Sequence, residues 1–276
     1  IFLCTPCENF LPLVQKLSQL KLTWVTLFID TPIIPKMHNF EIEHYKNEFK
    51  EILVTEDCFY NPINKIIRNV IKANNLGKIK KINFVNYGHT YHALAHSRKL
   101  LKDKFIHYGI KYKNKYKFIL SNSEINIIGG RMDSGYMHIF FKEEVISIND
   151  YNDKNDTSYK IKYLFNNDLL SGYLINNKKV NLTDDLIKNF IKLEHVCKIY
   201  NIHGIHFQEK IISLVYLILN TKNDNKKKYL LSDGIYDSFT IAVTKKIKVF
   251  FDLIFINKSL LIRIFYKIYL IKKFFR

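Results

Sequence analysis

Glycine is scarce in this chain of 276 residues: nine in all, about half of the roughly 19 expected at average usage. The first is Gly77, so residues 1–76 contain neither a G-x-G-x-x-G nor a G-x-x-x-x-G-K-[ST] phosphate loop. Cysteine is also sparse. Cys4, Cys7, Cys58 and Cys197 are too few and too scattered for a disulfide framework, which favours a reducing, cytoplasmic compartment. There is no initiator Met, no basic segment leading into a long apolar one, and no apolar run near the ~18 residues that would span a bilayer. Proline stops early: Pro6, Pro12, Pro32, Pro35 and Pro62 are all five. Acidic residues are outnumbered, 25 against 43 Lys and Arg, for a net charge of +18. That raises nucleic acid, anionic membrane or acidic ligands as partners. No groove-reading motif accompanies the charge, so nucleic acid is not expected. The 47% hydrophobic residues exclude a disordered chain.

What is present alternates. Residues 1–3, 23–29 and 51–55 read as short buried strands, and 9–20, 41–49 and 62–74 as helices, with Pro62 where a first helical turn tolerates it. Strand alternating with helix predicts a parallel, doubly wound sheet. From residue 79 the rhythm changes. A strand at 80–86 and a helix at 92–102 precede short strands at 105–112, 116–120, 125–128, 137–141, 145–148, 160–165 and 170–175, separated by Asn, Asp, Gly and Ser. These predict a large, mostly antiparallel open sheet. Helices are expected at 184–200, 207–219 and from 235 to the C-terminus. The division is 1–76, part of a Rossmann-like domain; 77–240, an α+β substrate and dimerisation domain; and 241–276, a basic amphipathic helix. The last carries nine Lys and Arg against Asp252, and could lie weakly on an anionic membrane.

Several motifs admit two readings. Cys4-Thr5-Pro6-Cys7 has the spacing of a redox pair, but only three residues precede it, and two unpaired thiols beside a strand end suit it better. His92 and His96 stand four apart on one helical face, as metal ligands can, but no upstream Glu completes the set, and no metal is expected. Gly129-Gly130-Arg131-Met132-Asp133-Ser134-Gly135 reads as a β-turn, since no helix follows it.

Four segments in order resemble the glucose-fructose oxidoreductase, inositol dehydrogenase and MocA (Gfo/Idh/MocA) group of NAD(P)-dependent oxidoreductases, over most of the chain. Ile1-Phe2-Leu3-Cys4-Thr5-Pro6 is similar to the family strand that ends in Thr-Pro beside the nicotinamide. The strand ending Asp30-Thr31-Pro32 resembles one ending Glu-Lys-Pro. The stretch from Ile52 through Asn61-Pro62 to Ile79 resembles the last Rossmann strand with its turn and helix. Tyr91-His92-Ala93-Leu94 and Ile235-Tyr236-Asp237-Ser238-Phe239 resemble the catalytic-His helix and the closing helix.

The resemblance implies NAD or NADP as cofactor, held by Thr5, Pro6, Asp30 and Pro32, and a sugar, cyclitol or nucleotide-sugar substrate. It implies His92 as general base, Thr31 and Tyr60 beside it as catalytic residues, and Asn61 and His89 as substrate ligands. It further implies self-association through the antiparallel sheet. Three departures stand out. The family's glycine turn would precede Ile1, as in a truncated chain; its Lys corresponds to Thr31, which supplies no cation; and its Asp four residues before the base corresponds to Gly88. A non-catalytic sugar-binding subunit therefore stands as an alternative. A surface-glycan glycosyltransferase is a second, and it requires another parallel sheet after about residue 130.

Overall fold

The computed structural model describes residues 1–31, 37–101, 106, 108–120, 122–151, 157–220, 228–247 and 249–251. The chain opens with β1 (Phe2–Leu3), α1 (Phe10–Ser18), β2 (Thr26–Asp30), a 3₁₀ stretch at Met37–Glu48 and β3 (Glu51–Thr55). Next come α2 (Asp57–Tyr60), α3 (Ile63–Ala73), β4 (Lys81–Tyr87) and α4 (Thr90–Leu101). A run of strands follows: β5 (Tyr108–Tyr112), β6 (Lys115–Ile119), β7 (Glu124–Ile128), β8 (Arg131–Phe140), β9 (Val145–Ile148), β10 (Tyr159–Asn166), β11 (Leu169–Ile175) and β12 (Lys178–Lys179). The described elements finish with α5 (Asp184–Tyr200), α6 (Ile205–Asn220), α7 (Leu231–Ile247) and β13 (Val249–Phe251).

Two compact units result. The described part of the first is Ile1–Glu56 with Lys227–Ile247; the second is Asp57–Lys226 with Lys248–Phe251.

In the first unit β1, β2 and β3 form a parallel sheet in that order, with Leu3 opposite Ile29 and Asp30 opposite Thr55. Its strands read as unbroken apolar runs because both faces are covered: Leu27, Phe28, Ile29, Ile52, Leu53 and Val54 are all buried. Phe10, Leu11 and Val14, spaced at helical intervals, turn one face of α1 inward. Tyr229, just before α7, is tied to β3 by the amide of Val54, which donates to its carbonyl.

The second unit is built on a ten-stranded sheet, ordered β12-β11-β10-β9-β8-β4-β7-β6-β5-β13. All its pairings are antiparallel except β4 with β7 and β9 with β10. Period-two alternation gives the sheet one apolar face, with Ile82, Phe84, Phe118, Ile125, Ile127, Met137 and Ile139 buried. α4 packs on β4 and β7, and α5 and α6 pack on β11. The opposite face is polar. There Lys117 and Glu124 form an ion pair at 2.7 Å, and Asn126 donates to Asn83 at 3.0 Å.

The α/β class and the mostly antiparallel second sheet agree with the sequence-based expectation. Where a second parallel sheet was required for a glycosyltransferase, the strands after residue 130 instead extend the mixed sheet. Three elements correct the sequence reading. Residues expected as an α-helix at 41–49 are 3₁₀ at Met37–Glu48. The expected turn at 129–135 is a turn only through Gly130, since β8 already starts at Arg131. Gly135 is required there, because a Cβ would fall 2.2 Å from the Asn86 carbonyl oxygen. The helix expected to run from 235 to the C-terminus stops at Ile247, and Val249–Phe251 pairs antiparallel with β5. Residues 252–276, the greater part of the expected basic helix, lie outside the described residues. Among the described residues no helix is long and apolar enough to cross a membrane.

Candidate functional site

In open parallel sheets ligands bind at the carboxyl ends of the strands. In the first unit that edge is made by the residues following β1, β2 and β3. Because β1 and β2 run parallel with Leu3 beside Ile29, Thr5 and Pro6 emerge next to Asp30 and Thr31. Thr5 and Pro6 are exposed. The Asp30 carboxylate is fixed twice over: the Thr31 amide donates to Oδ1 at 2.9 Å and the Thr55 hydroxyl donates to the same oxygen at 3.2 Å. Thr55 is 3% exposed and Glu56, one residue on, 1%. Four of the residues implied for the cofactor and the reacting hydroxyl thus share one edge. Pro32 lies outside the described residues.

In the second unit the remaining candidates sit on two short stretches. Tyr60 ends α2, which packs against α4 and α6. Tyr60 is buried, with its ring edge-on to Phe59 at 5.2 Å between centroids. Asn61 makes the turn into α3. Its side-chain oxygen accepts the Ile63 amide at 3.0 Å, satisfying one of the open donors of a helix start. The Asn64 side chain closes the same turn by donating to the carbonyls of Cys58 at 2.9 Å and Asn61 at 3.0 Å.

His89 and His92 flank the first turn of α4. His89 is exposed and stacks on Tyr91 at 5.6 Å, whereas His92 is 4% exposed with the Tyr91 ring at 4.2 Å. Gly88 leaves room for this packing, since a Cβ there would meet the His92 Cβ at an ordinary 3.5 Å.

Sequence reasoning missed three features of this unit. The Cys58 sulfur and a His92 ring nitrogen lie within 4.8 Å of each other, although 34 residues separate them. His96, four residues after His92, is wholly buried against Phe84 and Tyr87. Both its ring nitrogens lack a hydrogen-bond partner. Burial, and then the positive charge of Arg68, push its pKa down to about 3 from the ordinary 6.5, so the ring is neutral. Third, the Tyr163 hydroxyl donates to the Glu209 carboxylate across from β10 to α6. Burial, followed by the Glu209 charge, holds the pKa of Tyr163 and of nearby Tyr87 well above the usual phenol range. These residues come from separate elements, and only the single glycine before α4 hinted that anything close-packed began there.

No protein-family model matches the chain, and no curated protein does either. Solved structures do. The myo-inositol 2-dehydrogenase of Lactobacillus plantarum matches with a TM-score of 0.58 at 10% identity, over 91% of this chain and 79% of that one. The scyllo-inositol dehydrogenase of Lactobacillus casei, in its structure with bound NAD(H) and scyllo-inositol, matches at 0.54 and 11% identity over the same shares. A super-repressor mutant of Gal80p from Saccharomyces cerevisiae matches at 0.56 and 11%, again over 91% and 79%. The fold expected from the sequence resemblance is therefore the fold observed, shared with inositol dehydrogenases and with Gal80p.

Proposed function

We propose that this protein binds a nicotinamide dinucleotide, NAD or NADP, and acts as an oxidoreductase on a hydroxyl of a sugar, cyclitol or nucleotide-linked sugar. The observation carrying this reading is the likeness of fold, over 91% of the chain, to a dehydrogenase whose structure holds NAD(H) and scyllo-inositol. The carboxyl edge of the parallel sheet supports it. Exposed Thr5 and Pro6 offer a surface for the nicotinamide end, and Asp30, anchored by Thr55, offers a fixed acceptor. The residues fit that end of the cofactor, whereas residues 1–76 include no glycine turn for its pyrophosphate. When bound, the nicotinamide supplies the hydride chemistry.

The chain's own residues do the rest. His92 accepts the proton of the substrate hydroxyl at a ring nitrogen, a task suited to imidazole near neutral pH. The Tyr60 hydroxyl, the Asn61 side-chain nitrogen and the exposed His89 ring hold substrate oxygens. Thr31 replaces a cation with a hydroxyl, so it orients but does not stabilise developing negative charge. The four free cysteines suit a reducing compartment.

Thr31 and Gly88 favour a second reading, a polyol-binding protein without turnover, and the likeness to Gal80p agrees with it. One experiment separates the two. The protein is mixed with NAD or NADP and a panel of cyclitols, sugars and nucleotide-linked sugars, with nicotinamide absorbance and calorimetry recorded together. Turnover that His92→Asn lowers at least about a hundredfold supports the enzyme, given the usual contribution of a general base. Binding without turnover, unchanged in Thr31→Lys, supports the binding protein. Neither turnover nor binding across the panel overturns both.

A further inference from the structure

The loop joining α1 to β2 lies at the amino ends of the parallel strands, the edge opposite Thr5 and Asp30. It is tightly wound. The Leu20 amide donates to Leu17 at 3.1 Å, Lys21 to Ser18 at 3.0 Å, Thr23 to Lys21 at 2.9 Å and Val25 to Leu22 at 2.9 Å. Lys21 takes the left-handed conformation, φ 46°, to complete the turn. These bonds satisfy the backbone locally and fix a tip from which two large apolar side chains project. Leu20 is 65% exposed; Trp24, the only tryptophan in the chain, is 77% exposed. Nothing within the first unit's core accounts for this, since that core closes on Val14, Leu27 and Ile29 beneath the loop.

Basic groups surround the tip. Lys21 is on it, Lys16 occupies the last turn of α1, and Lys50 sits beside it, its amide donating to the Val25 carbonyl at 3.0 Å; all three are exposed. The nearby carboxylate of Glu51 is neutralised by Lys228, whose ammonium reaches its two oxygens at 3.0 and 2.8 Å. Two apolar side chains on a rigid tip ringed by lysines match a bilayer with negative headgroups. Tryptophan has an apolar body and a single N–H that suit the headgroup boundary, and lysines lying close to anionic lipid are attracted to it. We infer that this tip docks the protein on an anionic lipid surface, inserting Leu20 and Trp24 at headgroup depth. The edge bearing Thr5 and Asp30 then faces away from the membrane, so the inference does not depend on the dehydrogenase reading.

Because Trp24 is the sole tryptophan, its emission reports on the tip alone. The full chain is sedimented with phosphatidylcholine vesicles, with and without phosphatidylserine, and its fluorescence is followed with brominated acyl chains as quencher. The expected result is binding that requires phosphatidylserine, a blue-shifted emission and quenching. Trp24→Ser should weaken partitioning about tenfold, and Lys21→Ala about fivefold. Both side chains are exposed, so an unchanged circular dichroism spectrum is the check on folding. The inference is overturned by absence of vesicle binding, by binding with unshifted emission, or by binding that Trp24→Ser leaves intact, which would assign it to residues 252–276. Trp24 shielding by another protein with no vesicle binding also overturns it.

Discussion

The two units treat buried polar groups in opposite ways. In the unit of the parallel sheet the interior polar side chains are paired: Thr55 with Asp30, and the Tyr229 hydroxyl with Asp237 at 2.6 Å. In the unit of the ten-stranded sheet, Tyr173 leaves its hydroxyl, Asn189 both amide atoms, Arg68 its Nε and His96 both ring nitrogens buried without a hydrogen-bond partner. Among the described residues, buried side-chain atoms of this kind occur only there. Each such atom costs roughly 1–3 kcal/mol. A three-stranded unit with few apolar contacts has little to offset such a cost, whereas the wide sheet under α4, α5 and α6 buries enough apolar area to tolerate it. Polar precision is therefore kept at the carboxyl edge of the small sheet, and polar frustration is stored beneath the helices of the large one.

The most forceful way to break this comparison is acid. The folded-state pKa of His96 lies near 3, below its unfolded value of about 6.5. Between those values the unfolded chain takes up a proton that the folded chain refuses. This group's contribution is therefore fully present above about pH 6.5 and is lost progressively as pH falls toward 3. The shift corresponds to several kcal/mol, on the order of 5 at most. Urea unfolding of His96→Phe at stepped pH should show a shallower acid slope and no loss at neutral pH. An unchanged slope would remove His96 as its cause.

A smaller effect contrasts two tyrosines within the large unit. Tyr163→Phe deprives Glu209 of its donor and should cost about 2 kcal/mol. Tyr173→Phe removes a hydroxyl with no partner and should be neutral or slightly stabilising. Equal losses from both, read as urea midpoints, would mean that the Tyr163–Glu209 bond contributes nothing. Smallest of the three, Thr55→Val in the paired unit should cost about 1 kcal/mol by releasing the Asp30 carboxylate. In calorimetry it should also weaken nicotinamide dinucleotide binding severalfold, a readout that a purely structural role for Thr55 would leave unmoved.

Much of this architecture is written in local periodicity. β3 at Glu51–Thr55 and α5 at Asp184–Tyr200 fall on the segments read from apolar spacing, because their buried faces follow the 2.0 and 3.6 repeats without interruption. The carboxyl-edge residues Thr5, Asp30 and Thr31 follow from the same strands, since an edge is located as soon as a strand's end is. What was not legible depends on partners distant in sequence. Val249–Phe251 has the composition to continue the helix before it and becomes a strand only because β5 offers an open edge. Met37–Glu48 has too weak an apolar face for a full α-helix and tightens to 3₁₀. The approach of Cys58 to His92 and of Tyr163 to Glu209 has no sequence signature, because each pair is assembled by the packing of separate elements.

Asn86 bears on one of those assemblies. It adopts the left-handed conformation, φ 49°, and the pairing of β4 with β8 slips by one residue between Val85 and Tyr87. Phe84 and Tyr87 are three residues apart, an odd number that in an uninterrupted strand would point them to opposite sides. Their ring centroids nevertheless lie 5.6 Å apart. The extra residue acts as a phase inverter for everything downstream of it. Deleting that single codon would leave β4 intact as far as Val85, yet swing the Tyr87 phenol out of the helical layer and rotate the entry into α4. The orientation of His92 would change without any alteration to the helix that carries it.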